Sequence, residues 1–240
     1  MREDERPQAL TPAGALLRTG EVTVRGRMPW SSNATFLVAV TCGEDEMLGI
    51  YKPGAGERPL WDFPRGLYRR EVAAAVLSDA LGWSVVPDTV VREGPLGVGS
   101  VQRYVDHDPD DHYFVLVEDA RHHAGLRRLC ALDIVANNTD RKAGHCLLDR
   151  DGRIWGIDNG LCFHPDPKLR TVIWDFAGEP LPDDVAADLT GLLRRLPAGL
   201  DPFLDEEELD AVADRTAALL EAGRFPSPHP DRRPYPWPLV

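Results

Sequence analysis

Two kinds of hydrophobic patterning divide the chain. Short apolar or alternating runs fill the first hundred residues, at 21–27, 35–40, 47–51, 85–92 and 98–105. Each has the length and spacing of a β-strand. Polar turns separate them, among them Cys42-Gly43-Glu44-Asp45-Glu46 and Glu93-Gly94-Pro95-Leu96-Gly97. One helix interrupts the series at 69–81, with Val72, Val76, Leu77 and Ala80 on one stripe and Gly82 as its stop. Residues 1–19 are polar with one short apolar patch. After Tyr104-Val105 an acidic loop (106–112) marks a boundary, and the period beyond it is helical. Helices are expected at 121–136, with Leu126, Leu129, Cys130 and Ile134 in register, and at 184–196 and 205–222, the last closed by Gly223. Asp133 falls near the apolar face of the first of these, so it is expected to be buried, hydrogen-bonded and a brace for the loop that follows. Residues 225–240 hold six prolines and predict an extended tail. The reading is an α+β chain with an N-terminal segment (1–20), a strand-rich lobe with one helix (21–105), a mainly helical lobe (106–224) and a Pro-rich tail (225–240).

The chemistry gathers in the second lobe. The helix at 121–136 runs into Asn137-Asn138-Thr139-Asp140-Arg141-Lys142, a polar loop with one acid. A hairpin follows: Cys146-Leu147-Leu148, a turn through Asp149-Arg150-Asp151-Gly152, then Arg153-Ile154-Trp155-Gly156-Ile157 and a second acid, Asp158. A hairpin brings its ends together, so His145 and Asp158 are expected to be neighbours with Asp140 one loop away. Two acids, a histidine and nearby basic residues at a hairpin mouth suit a site for metal and phosphate.

Composition narrows the partners. A formal net charge of −12 argues against general nucleic-acid binding and against unaided docking on anionic membranes. No apolar run reaches spanning length and the first residues are no signal peptide, so only peripheral membrane contact stays open. Cys42, Cys130, Cys146 and Cys162 show no CxxC pairing and read as reduced core residues of a cytoplasmic protein. Trp61 and Phe63, in the irregular loop after the third strand, are candidates for membrane or partner contact, against the commoner outcome of burial.

In chain order, Lys52 leaving the third strand, Glu71 in the first helix, Asp140 and Asp158 make the kinase plan. Taken singly, Lys52 reads equally as a solvated lysine and Glu71 as a complement to the helix dipole. Together, Gly49-Ile50-Tyr51-Lys52-Pro53, Asn138-Thr139-Asp140-Arg141 and Ile157-Asp158-Asn159-Gly160-Leu161 resemble the phosphatidylinositol 3- and 4-kinase superfamily, above all the type II phosphatidylinositol 4-kinases. Gly99-Ser100-Val101-Gln102-Arg103-Tyr104-Val105 is similar to that family's hinge-leading strand. The resemblance covers roughly residues 21–180.

The resemblance implies a two-lobed, protein-kinase-like fold and ATP with Mg²⁺ or Mn²⁺ as cofactors. It makes Lys52 the ligand of the α- and β-phosphates, Glu71 its partner, Asp140 the catalytic acid/base and Asp158 a metal ligand. Ser31, Ser32 and Asn33 would form the phosphate-covering turn, a role that competes with plain turn formation. The backbone from Gln102 through Tyr104 to Val105 would meet adenine. The family has asparagine as second metal ligand five residues after the catalytic acid; here that position is His145, whose nitrogen suits Mn²⁺ better than Mg²⁺. Where type II lipid kinases carry a cysteine-rich insertion, this chain has Leu60-Trp61-Asp62-Phe63-Pro64. The expected activity is transfer of the ATP γ-phosphate to a hydroxyl of a lipid, small alcohol or protein. The segment after Asp158, through Pro165 to Trp174-Asp175-Phe176, would line the acceptor site, with Arg141, Lys142, Lys168 and Arg170 as contacts for an anionic acceptor. The rivals are a HipA-like protein serine kinase, a pseudokinase that binds nucleotide or a partner without turnover, and, last, a metal phosphohydrolase.

Overall fold

The structure, a computed structural model, describes residues 11–29, 33–229 and 233–240. Its residues cluster into two compact units, one running to residue 72 and taking in 88–104, the other made of 73–87 and 105 onward.

The first unit opens on α1 (Pro12–Thr19), which the sequence pattern did not announce. Its start signals are ordinary: Thr11 Oγ1 accepts from Gly14 N (2.9 Å), and proline stands at its first position. Eight residues do not hold a helix alone. Leu17, fully buried, anchors it among Val38, Val40, Tyr51, Val90 and Val101, and Arg92 closes its end by donating to the carbonyls of Leu17 (2.8 Å) and Gly20 (2.7 Å). Gly20 is required there, because a Cβ would lie 2.7 Å from the Val40 side chain.

Five strands, β1 (Glu21–Arg27), β2 (Phe36–Cys42), β3 (Asp45–Pro53), β4 (Thr89–Gly94) and β5 (Gly97–Arg103), form an antiparallel sheet in the order β1-β2-β3-β5-β4. The apolar face meets α1. Alternation sends Tyr51 into that core and Lys52 to the other face, beside Ala39, Ser100 and Gln102. β4 starts later than its apolar run because the amides of Val85 and Val86 already donate to Ser78 Oγ (2.9 and 3.2 Å).

Between β3 and β4 lies α2 (Leu67–Ala80), whose first turns count with the first unit and whose remainder, from Ala73, counts with the second. There Ala73, Ala74, Ala75 and Leu77 enter the second unit's core, so the helix is buried more widely than a single stripe, while Ala80, expected on that stripe, is exposed.

The second unit adds α3 (Tyr113–Leu116), α4 (His123–Val135), the hairpin β6 (Cys146–Leu148) and β7 (Ile154–Gly156), α5 (Asp183–Arg194) and α6 (Glu206–Ala222) around one core. The acidic run opening α6 is a capping box, with Glu208 N on Asp205 Oδ1 (2.9 Å) and Asp205 N on Glu208 Oε2 (3.1 Å), and Gly223 closes the helix at φ 60°. Asp149 shapes the hairpin turn, its Oδ1 accepting from Asp151 N (3.0 Å) and Arg153 N (2.9 Å). Residues 233–240 lie against this unit with bends at Tyr235, Trp237 and Pro238, not as the extended tail that the sequence led one to expect. Among the described residues no helix is long and apolar enough to cross a membrane.

Candidate active site

In the first unit Lys52 and Glu71 form an ion pair, Nζ on Oε1, with Glu71 almost wholly buried and Lys52 about one-fifth exposed. A buried carboxylate needs a partner, and Lys52 is the one delivered by β3. The loop between β3 and α2 is held by Glu57, which accepts from Gly66 N and Tyr68 N (2.8 Å each) and so caps the start of α2. Asn33 binds this loop as well, its Oδ1 accepting from Arg58 N (2.9 Å). Ser31 and Ser32 lie outside the described residues. Phe63 is buried under the Arg70 guanidinium, whereas Trp61 is 95 % exposed, so the two aromatics read together in the sequence have opposite fates.

The strand leading out of the first unit is tied down. Gln102 is buried with its amide donating to Thr89 Oγ1 (2.9 Å), and Tyr104 N donates to Leu48 O (3.0 Å). The division between units falls after Tyr104. Val105 packs with Leu147 and Trp155 in the second unit, and His107 Nδ1 lies 2.8 Å from its carbonyl oxygen.

In the second unit a buried polar frame underlies Asp140. Asp133, on the last turn of α4, and Arg141 are both buried, 1 % and 0 % exposed in their side chains, and face each other with Arg141 Nη2 2.8 Å from Asp133 Oδ1. Arg141 Nε reaches Asp133 Oδ2 (3.0 Å), Nη2 also donates to Asn159 Oδ1 (2.7 Å), and Nη1 donates to Ile157 O (2.5 Å). Asn138 Nδ2 (3.0 Å) and Thr171 Oγ1 (3.3 Å) complete the set on Asp133. Burial works against the guanidinium's charge, but the Asp133 carboxylate offsets it and holds the group above its ordinary pKa. Gly156 is obligatory beneath this frame, since a Cβ would collide with Leu129 and come within 3.2 Å of Arg141 Nη2.

The expectation that Asp133 braces the loop is met. The expectation that Arg141 contacts an anionic acceptor is not: a side chain with no exposed surface and all its donor directions turned inward has nothing to offer a substrate. Its nitrogens instead join α4, the Asp140 loop and the Asp158 loop.

Asp140 projects from this frame at the edge of solvent. Its amide donates to Asn138 Oδ1 (2.9 Å), an Asx turn that sets the loop, and its carboxylate lies 3.1 Å from Lys142 Nζ. Burial raises its pKa above the ordinary carboxylate value; Lys142 and Arg170 pull it down and Asp158 pushes it up. The result is a carboxylate more basic than free aspartate.

Asp158 follows β7 in the left-handed region (φ 59°), with its side chain about half exposed and Oδ2 3.3 Å from His145 Nε2. The hairpin does bring its ends together, with Ile157 N on His145 O (3.0 Å). His145 ends a single 3₁₀ turn, Ala143–His145, and its Nδ1 accepts from Lys142 N (3.4 Å). Its Nε2 faces Asp158. Among the described residues no three His, Cys, Asp or Glu side chains gather to hold a metal ion by themselves. The donor set still fits a metal carried with nucleotide, because such ions take one or two carboxylates and draw the remaining oxygens from phosphate and water. Asp158 would supply the hard oxygen, with His145 Nε2 3.3 Å from its Oδ2.

Several residues essential to this geometry were not singled out in the sequence. Asn137, at φ 52°, donates to His164 O (2.8 Å) and Asp166 O (2.7 Å) and accepts from Lys168 N (2.9 Å). Asn159 ties its loop to Arg141, and Thr171 forms a parallel bridge with Arg141. The available signal was the density of asparagines beside the acids, residues that tolerate left-handed backbone and bond their own loops.

Comparisons with known proteins place the chain. Residues 88–220, more than half of it, match the family described as phosphatidylinositol 3- and 4-kinase, and the chain belongs to that family. Protein Rv2133c of Mycobacterium tuberculosis is 37 % identical over 280 aligned positions, which cover 99 % of this chain and 96 % of that protein. Phosphatidylinositol 4-kinase gamma 4 of Oryza sativa subsp. japonica is 31 % identical over 150 positions, 51 % of this chain and 25 % of the rice protein. Among solved structures, the Helicobacter pylori proinflammatory kinase CtkA superposes with a TM-score of 0.52 at 12 % identity, over 87 % of this chain and 94 % of that one. Hydra Fam20 with sugar superposes with a TM-score of 0.51 at 13 % identity, over 87 % and 86 %. At such identities the structural likeness establishes the fold alone: α+β, two-lobed and kinase-like. Family and fold together support kinase-type phosphotransfer.

Proposed function

We propose that this protein is an ATP-dependent kinase that moves the γ-phosphate of ATP to a hydroxyl acceptor in the cytoplasm, with Mg²⁺ or Mn²⁺. The observation that carries the reading is Arg141, wholly buried and bonded at once to Asp133, Asn159 and the Ile157 carbonyl, so that the loops bearing Asp140 and Asp158 share one rigid anchor. Phosphoryl transfer depends on such fixed placement and on charge neutralisation more than on covalent chemistry.

In this reading Lys52, kept extended by Glu71, binds the α- and β-phosphates. Asn33 and its neighbours cover the phosphates, and the main chain from Gln102 through Tyr104 to Val105 meets the adenine edge. Asp140, whose burial raises its proton affinity, orients the acceptor hydroxyl and takes its proton. Asp158, with His145 beside it, holds the divalent ion, which neutralises phosphate charge when bound. The acceptor is a lipid, small alcohol or protein hydroxyl; Lys168 and Arg170 remain half-buried candidates for an anionic group on it.

The test is γ-phosphate transfer from labelled ATP to inositol lipids, sugars and lysate protein, with Mg²⁺ and Mn²⁺ in parallel. Asp140→Asn is expected to abolish transfer and retain ATP binding, Asp158→Ala to weaken metal-dependent binding itself, and Lys52→Met to lower both. Unchanged transfer in Lys52→Met would remove Lys52 from its role. One observation favours a second reading, a nucleotide-binding pseudokinase: Nε2 of His145 lies 3.3 Å from the very carboxylate that should take the metal. ATP binding by the wild type without hydrolysis or transfer under either metal would establish that reading instead.

A further inference from the structure

The segment 233–240 lies on the second unit at three points. Pro234 O accepts from the amide of Thr171 (3.1 Å) and from Trp174 Nε1 (3.2 Å). Pro236 is buried. Leu239 O accepts from the amide of Ala143 (2.7 Å), and Val240 lies over Gly144. Between these anchors Tyr235 and Trp237 turn outward, 44 % and 76 % exposed, so the segment is a bent strip fastened at Pro234, Pro236 and Leu239. Its prolines suit such a strip: each fixes φ and has no amide hydrogen to satisfy, so less conformational freedom is lost on docking.

The two main-chain donors it engages stand at informative places. Ala143 is 0 % exposed and begins the 3₁₀ turn that carries His145 and follows Lys142 and Asp140. Thr171 is 1 % exposed, bonds Asp133 through its hydroxyl and bridges Arg141 through its backbone. Buried amides are nearly always bonded, and here both acceptors come from the tail. A single 3₁₀ turn has poor intrinsic stability, so what fastens its first amide sets its shape.

We propose that residues 233–240 are a clasp that positions the catalytic loop, fixing Ala143–His145 through Leu239 and the Thr171 segment through Pro234, so that the enzyme works fully only with its tail docked. The inference rests on the kinase reading for its effect on turnover and on the structure alone for its effect on the loop. Misplacement of a reacting group by about 1 Å lowers rate on the order of a hundredfold, which is the scale of control such a clasp exerts.

The experiment compares the full chain, a variant ending at residue 229, and full-length Trp174→Phe, which removes one of the two bonds to Pro234 O. Amide hydrogen exchange is read at Ala143 and Thr171, and transfer kinetics are read with and without a synthetic peptide of residues 230–240. Expected are exchange at both amides at least about tenfold faster in the shortened chain with α4 and α6 still protected, kcat lower by about tenfold or more with KM for ATP little changed, and recovery of both by the peptide. Trp174→Phe should fall between, and it keeps the question answerable if the shortened chain does not fold. Unchanged exchange at Ala143 and Thr171 overturns the clasp whatever the activity; higher kcat without the tail overturns it in favour of an inhibitory contact. Altered exchange in a chain that transfers phosphate to nothing upholds the clasp and removes the kinase reading.

Discussion

Removing Arg141 tests the central claim that a buried ion pair is retained to place two loops. Its guanidinium meets both Asp133 oxygens, Asn159 Oδ1 and Ile157 O, with neither partner of the pair reaching water. Replacing one member of such a pair strands the other charge, so Arg141→Met is expected to cost about 3–5 kcal/mol, and Asp133→Leu a similar amount. The double replacement leaves no buried charge, and comparable pairs elsewhere exchange for apolar residues with little net loss. Here recovery is partial, because Asn138 Nδ2, Thr171 Oγ1 and Asn159 Oδ1 still lose their partner, at roughly 1–3 kcal/mol for any left unsatisfied. The double variant should therefore be more stable than the sum of the singles by about 2 kcal/mol or more, yet have no transfer activity, since Asn159 and Ile157 no longer anchor the Asp158 loop. Urea denaturation of all four proteins, with transfer and metal-dependent nucleotide binding measured on each, decides the matter. Additivity within about 0.5 kcal/mol, or a double variant that transfers phosphate at the wild-type rate, would refute the reasoning.

Two further outcomes follow from the same geometry. Because burial raises the Asp140 pKa, the folded state holds that proton more tightly than the unfolded one, and stability is lost as pH rises from the ordinary aspartate value through the raised one. Asp140→Asn has no such ionisation, so it should melt above wild type at pH 7 and match it under acid conditions where Asp140 is protonated in both states; a variant melting lower at pH 7 would contradict this. His145→Asn places an amide oxygen beside Asp158, and nucleotide binding should shift in preference from Mn²⁺ towards Mg²⁺; an unchanged ratio of the two affinities would show that His145 does not face the ion.

Much of this was legible in the sequence, for identifiable reasons. Strands 21–27 and 47–51 and the helices α4, α5 and α6 stood out because of their apolar period, and for α6 because Gly223 marks its stop. The meeting of His145 with Asp158 followed from hairpin geometry alone. Helix α1 was not legible because what stabilises it is Arg92, more than seventy residues away, and a core supplied by the sheet. The start of β4 was displaced by a serine on the preceding helix whose hydroxyl has no periodic signature. Arg141 misled for a related reason: in isolation an arginine after a loop acid looks like a substrate contact, and only the tertiary position of Asp133 turns it inward.

The arrangement also separates what is prepared from what is left open. Lys52 is already paired with Glu71, and Arg141 already joins its two loops, so the positions of the charged groups do not wait for a ligand. Asp158 is different: half exposed, in a left-handed backbone conformation costly for a residue with a Cβ, with its carboxylate facing the His145 imidazole. Strain at one residue persists only where its surroundings over-determine it, and those surroundings are Asn159 and Gly156, both fixed by the Arg141 frame. The frame therefore fixes the loops of both carboxylates, although only Asp158 is held in a backbone conformation that its own residue type seldom adopts.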